Sequence, residues 1–250
     1  MSDLMLHTGG RLCTADELQA IPTPPAEGRW HPVSHRAVLD AVTGTLEAAG
    51  YCVRDRKLAI ARNGHRFFGT LDLTTPLAAG VSLAVGVRNS TDKSFPLGFC
   101  AGNRVVVCDN LAFRAELLVK RKHTRFGEVR IGNAIAAAVQ SLASFREAEA
   151  VRLDRLMTTD LTDDQALAFM VRAVERRIIA APVLPKVLAD WRFPLFDYGT
   201  GDRPTAWRLL NCFTTVLGPR AVRSPNEYSE QTIRLNALLS PAEPVLAVAA

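Results

Sequence analysis

Residues 81–124, VSLAVGVRNSTDKSFPLGFCAGNRVVVCDNLAFRAELLVKRKHT, decide the fold, because apolar runs alternate there with clusters of Asn, Asp, Lys and Arg. Over 82–88, Leu83, Val85 and Val87 fall on one face of an extended segment, and Asn89-Ser90-Thr91-Asp92-Lys93-Ser94 supplies the residues a tight turn needs. The pattern predicts a returning strand over 97–108, central in its sheet because Val105, Val106 and Val107 are apolar on both faces. A further extended piece over 112–123 is apolar at Leu117, Leu118 and Val119 and ends in Lys120-Arg121-Lys122-His123.

Upstream, Asn63-Gly64 predicts a hairpin between strands over 51–61 and 66–73, and 76–80 breaks the pattern. Val38, Val42, Leu46 and Ala49 give one helical face over 34–49, which Gly50 stops. The first 33 residues carry Pro22, Pro24, Pro25 and Pro32, so they read as an arm, with one short helix where Thr14 and Glu17 have capping-box spacing.

Downstream, Gly127 precedes one long helix, apolar at Ile131, Ile135, Val139, Leu142 and Phe145 and running to near Leu156. Thr162 and Gln165 cap another, with Leu167, Met170, Val171, Val174 and Ile178 on its buried face. A polar loop over 197–202 leads to a helix over 207–217 ended by Gly218-Pro219, and Ser224, Pro225 and Glu227 start a last helix reaching Leu239. The class expected is α+β, a mainly antiparallel sheet flanked by helices with a helical C-terminal part. The organisation expected is an arm (1–33), an α+β core (34–160) and a helical part (161–250) packed on it.

The 250 residues carry a net charge of +5 and a pI near 9.2, which suits a polyanionic partner as well as plain solubility. Five scattered cysteines (Cys13, Cys52, Cys100, Cys108, Cys212) with no CxxC pair predict reduced, mostly buried thiols. MSDLMLHTGG has no basic start followed by an apolar run, and the closing PVLAVAA is far shorter than the roughly 20 residues that span a bilayer. No membrane association and a cytoplasmic location are expected.

The densest basic region, Lys120, Arg121, Lys122, His123 and Arg125, could hold phosphates, with Arg104 as a further contact and Lys93 as an accessory at a hairpin tip. The bland alternative is a solvated strand end. Phe95, Phe99, Phe113 and Phe126 are spread through the region and exposed rings would stack on single strands, although phenylalanines are mostly core. Asp72, Asp92, Asp109 and His123 could instead gather around a metal in a hydrolase, yet their spacing matches no metal signature, and Asp92 and Asp109 also suit turns. There is no GxSxG, no phosphate loop and no GxGxxG, so no cofactor is expected and the balance favours a non-enzyme.

VGVRNSTDKSFPLGF (85–99), AGNRVVVCDNLAF (101–113), RKHT (121–124) and TAWRLLNCFTTVL (205–217) together resemble the phage- and plasmid-like prokaryotic family called domain of unknown function 932. The likeness spans 30–239. It places motif residues at Asn89, Ser90, Asp92, Lys93, Asn103, Arg104, Cys108, Asp109, Asn110, Arg121, Lys122, His123, Thr124, Trp207 and Asn211, and it implies mobile-element association without a reaction. Of these, Asn89, Ser90, Asp92, Asn103, Asp109, Asn110, Trp207 and Asn211 are read as structural motif residues, with Asn89, Asn103 and Asn110 as candidate latches that satisfy strand ends. The helix, strands, long helix order also resembles the core of single-strand annealing recombinases. The leading expectation is therefore a binder of nucleic acid, single-stranded DNA included, with a homo-oligomer as a candidate assembly. The alternatives are a metal-dependent hydrolase acting on nucleic acid and a non-catalytic structural or protein-interaction module.

Overall fold

A computed structural model describes residues 10–105, 111–125, 127–223 and 225–239; Cys108, Asp109, Asn110 and Ser224, and the stretch Val106-Val107, lie outside them. The described residues form a six-stranded antiparallel sheet in sequential order, β1 (Arg11–Leu12), β2 (Val53–Ala61), β3 (Arg66–Ala78), β4 (Val81–Ser90), β5 (Leu97–Val105) and β6 (Leu111–Arg121), with eight α-helices. From β2 onward the meander needs only short reversals. The first, between β2 and β3, is made where Arg62, Asn63 and Gly64 all take positive φ.

Strand alternation sorts the sheet into two faces. Register places Ile60, Phe67, Asn89 and Leu58, Gly69, Val87, Phe99 across one of them, with Leu71, Val85 and Ala101 alongside. On that face α2 (His35–Ala48), capped by the Ser34 side chain, and α4 (Leu142–Thr158) reach Asn89 and Asn103 respectively. Helix α3 (Gly127–Gln140) packs on α2 and β6. The other face holds Phe68, Thr70, Asp72, Ala84, Arg88 and Arg104 around Gly86, Gly98 and Gly102. Its central residues are buried too, so β3, β4 and β5 are covered on both sides.

The arm contains α1 (Ala15–Ala20), with both bonds of the Thr14–Glu17 capping box, and then turns at Gly28 in a Glu27–Trp30 bridge. The C-terminal part is α5 (Asp163–Glu175), α6 (Leu184–Arg192), α7 (Ala206–Arg223) and α8 (Pro225–Leu238). Helix α5 starts on the Thr162–Gln165 capping box.

Four expectations change. The long helix after Gly127 is two, α3 and α4, parted at Ser141, whose hydroxyl donates to the Ala137 carbonyl and competes with regular helix bonding. Helix α7 runs through Gly218 and Pro219, because its packing along α8 outweighs the local breakers. Strand β3 continues past Pro76 by irregular pairing with β4, and the edge pair β1 was not foreseen. Of the four described cysteines only Cys212 is buried; Cys52 is exposed and Cys13 and Cys100 are half-buried.

Candidate nucleic-acid interface

Strand β6 ends where Lys120 pairs with Gly98 and Arg121 with Leu97, and the chain then turns through 122–125 towards α3. Lys120, Arg121, Lys122 and Arg125 are exposed, while His123 between them is buried. His123 is held inward because its Nδ1 accepts the backbone N–H of Val33 at 3.2 Å. An imidazole anchored inward leaves Lys122 and Arg125, on either side of it, facing outward. None of the four exposed cations shares an ion pair with a carboxylate among the described residues. Arg121 donates to the neighbouring Lys120 carbonyl, at 3.0 Å.

The other proposed phosphate contacts are used within the fold. Arg104 is 1% exposed and its Nε donates to Asp72 at 2.6 Å, so it is a buried ion pair rather than a surface contact, which corrects the expectation for it. Burial raises the Asp72 carboxyl, and the Arg104 guanidinium opposes that shift. His123, also buried, positions the cluster without joining its surface; burial lowers its pKa. Lys93, at positive φ on the β4–β5 tip, is ion-paired to Glu27 and lies 4.8 Å from the Trp30 ring, so the arm clasps the tip.

Register shows one basic residue that linear reading missed. Arg88, Gly98 and Lys120 are direct neighbours across β4, β5 and β6, hence on one face. A Cβ on Gly98 would stand 2.9 Å from Arg88 Nε, so the glycine makes room for the guanidinium to lie across β5 towards Lys120. Arg88 also sits 5.2 Å from the Phe95 ring, with Arg66 at 6.0 Å on the same ring. Phe95 is half-buried, packed on Phe68, and Phe99 is wholly buried. The side chains of Phe113 and Phe126 lie outside the described residues.

The motif asparagines bond internally. Asn89 donates to the Val33 carbonyl at 2.9 Å and to His35 Nδ1 at 3.0 Å, while His35 Nε2 donates to the Gly64 carbonyl at 2.8 Å. Burial drives His35 down to about 4. Ser90 Oγ both donates to and accepts from the Phe95 backbone, and Asp92 accepts from Arg66 at 2.9 Å and from Ser94 N–H at 3.0 Å. Asp92 is partly buried, which raises its pKa, but the Ser94 and Arg66 bonds prevail and lower it.

Asn103 donates to Glu149 Oε1 at 2.7 Å, and Glu149 is held by Arg152 at 2.7 and 2.9 Å. Glu149 escaped the sequence reading because it sits in a charged helical stretch that looks solvated; the signal was the buried amide opposite it. Asn103, Trp207 and Asn211, distant in sequence, line one tight crevice with Ala112 and Thr214. There Asn211 donates to the Trp207 carbonyl at 3.0 Å, and Trp207 Nε1 to the Tyr198 carbonyl at 3.0 Å.

For the hydrolase alternative, Asp72, Asp92 and His123 are committed to three separate partners, Arg104, Arg66 and Val33. No trio of His, Cys, Asp or Glu that could hold a metal occurs among the described residues, and Asp109 lies outside them. No helix among the described residues is long and apolar enough to cross a membrane. No family model, curated protein or solved structure matches the chain, so the resemblance to domain of unknown function 932 rests on the quoted motifs alone.

Proposed function

We propose that the protein binds nucleic acid, single strands in particular, through phosphate contacts from Lys120, Arg121, Lys122 and Arg125 around the end of the edge strand β6, with Arg88 adding a cation on the Lys120 face of the sheet. One observation carries this reading. These four cations remain exposed and without carboxylate partners among the described residues, whereas Arg104 is ion-paired in the interior and Lys93 is ion-paired to Glu27 of the arm at the surface. Exposed guanidinium and ammonium groups carried on a strand end and a backbone-pinned turn attract a polyanion. The motif resemblance is the ground for proposing a mobile-element setting, where strand annealing is the activity to test next.

The test is fluorescence anisotropy of labelled single- and double-stranded oligonucleotides at low and moderate salt, repeated with Arg121→Ala/Lys122→Ala. Salt-sensitive binding that weakens in the variant supports the proposal. Binding that ignores both salt and the substitutions, or no binding, sinks it.

A further inference from the structure

The C-terminal half presents a short apolar loop that the interface above does not use. In Arg192-Phe193-Pro194-Leu195-Phe196-Asp197 every residue is exposed, Phe193 at 80% and Leu195 at 70%. Two large apolar side chains so open on one short turn are unusual on a monomer surface.

The loop is also firmly held. Phe193 N–H donates to the Ala189 carbonyl and Leu195 N–H to Asp190 Oδ1, both at 2.8 Å. Buried Asp190 accepts from the Tyr198 hydroxyl as well, and Arg208, over the Trp191 ring, donates to the Trp191 and Asp202 carbonyls. A loop fixed from beneath loses little freedom when something covers it.

The order of charges indicates what covers it. The hexapeptide reads cation, Phe, Pro, Leu, Phe, anion, and neither Arg192 nor Asp197 has an ion-pair partner among the described residues. Two such segments facing each other about a two-fold axis run antiparallel. That arrangement sets Arg192 of each beside Asp197 of the other and Phe193 beside Phe196, which is the self-complementarity an isologous contact requires. Asp163, which accepts from Trp191 Nε1 beside the loop, and Asp202, whose carbonyl accepts from Arg208, place carboxylates next to it and disfavour an anionic lipid surface or nucleic acid as the occupant. We infer that this loop is a self-association surface whose partner is a second copy of the chain, paired antiparallel through residues 192–197.

One hexapeptide on each side is smaller than a standard interface, so the dimer is weak and concentration-dependent. The experiment is sedimentation equilibrium of the full chain from about 1 to about 500 µM, the span over which weak association is read. Expected is a monomer–dimer equilibrium that moves to monomer in Phe193→Ser/Phe196→Ser and in the single variants Arg192→Asp and Asp197→Arg. All four positions are exposed, and circular dichroism confirms that the variants fold. Mixing the two single-charge variants restores association, because each loop then again faces its opposite charge. A wild-type chain that is monomeric throughout overturns the inference, and so does a dimer indifferent to these variants. Sedimentation of monomer with phosphatidylcholine vesicles, lost in the Phe variant, also overturns it in favour of a lipid surface.

Discussion

The backbone N–H of Val33 and Nδ1 of His123, 90 residues apart, meet at 3.2 Å in the interior. Through this bond the arm fixes the turn that carries Lys122 and Arg125. With the arm's amide using Nδ1, the ring proton is on Nε2, so the neutral imidazole is the form the fold needs. Replacing His123 by Ala therefore frees the turn without removing a surface charge. Oligonucleotide affinity is expected to fall several-fold at pH 7.5 with its salt dependence kept. An affinity equal to that of the wild type would show that the turn holds its shape unaided.

Two buried histidines make stability depend on pH. His35 sits at about 4 against an ordinary 6.5, with His123, His65 and Asp92 as the charged or titratable groups acting on it. Its pKa is lowered on folding, so its contribution is whole above pH 6.5, and it is lost as pH falls from 6.5 to about 4. By linkage that loss is about 3 kcal/mol. His123 shifts in the same direction. Urea midpoints are expected to fall steeply between pH 6.5 and 5, above the range in which Asp92 protonates, and His35→Gln should flatten the slope. An unchanged slope in that variant would assign the effect elsewhere.

Much of this architecture is legible from local pattern. The Thr14 and Thr162 capping boxes, the Asn63-Gly64 reversal and the alternation in 81–90 each specify a local geometry, and each is found. Sequence reading fails where distant contacts decide. Helix α7 passes Gly218-Pro219 because α8 lies along it, and Arg104 is drawn inside by Asp72, 32 residues earlier. Of the basic residues, the consecutive run at 120–122 announces itself. Arg88 emerges only when register sets it across Gly98 from Lys120.

The Asp72–Arg104 pair separates structural from binding charge. Removing one partner strands the other in the interior, so Asp72→Asn is expected to cost about 3–5 kcal/mol, while a well-packed apolar replacement of both recovers much of that. Chemical denaturation of Asp72→Asn, Arg104→Met and the Asp72→Leu/Arg104→Met double variant measures this. The double variant should bind oligonucleotides as the wild type does. Weakened binding in a stably folded double variant would return Arg104 to the interface.

Asn89 ties three segments at once, the arm through the Val33 carbonyl, α2 through His35, and its own strand. It is wholly buried, so Asn89→Leu leaves both acceptors unsatisfied in a site closed to water, at about 1–3 kcal/mol for each buried group. Because Val33 is also bonded to His123, the damage should spread to the basic turn. Hydrogen exchange of Asn89→Leu is expected to show faster exchange in 30–35 and 120–125, with β2 and β3 protected as before. Uniform loss of protection would mean that Asn89 stabilises the fold as a whole instead of latching the arm to the turn.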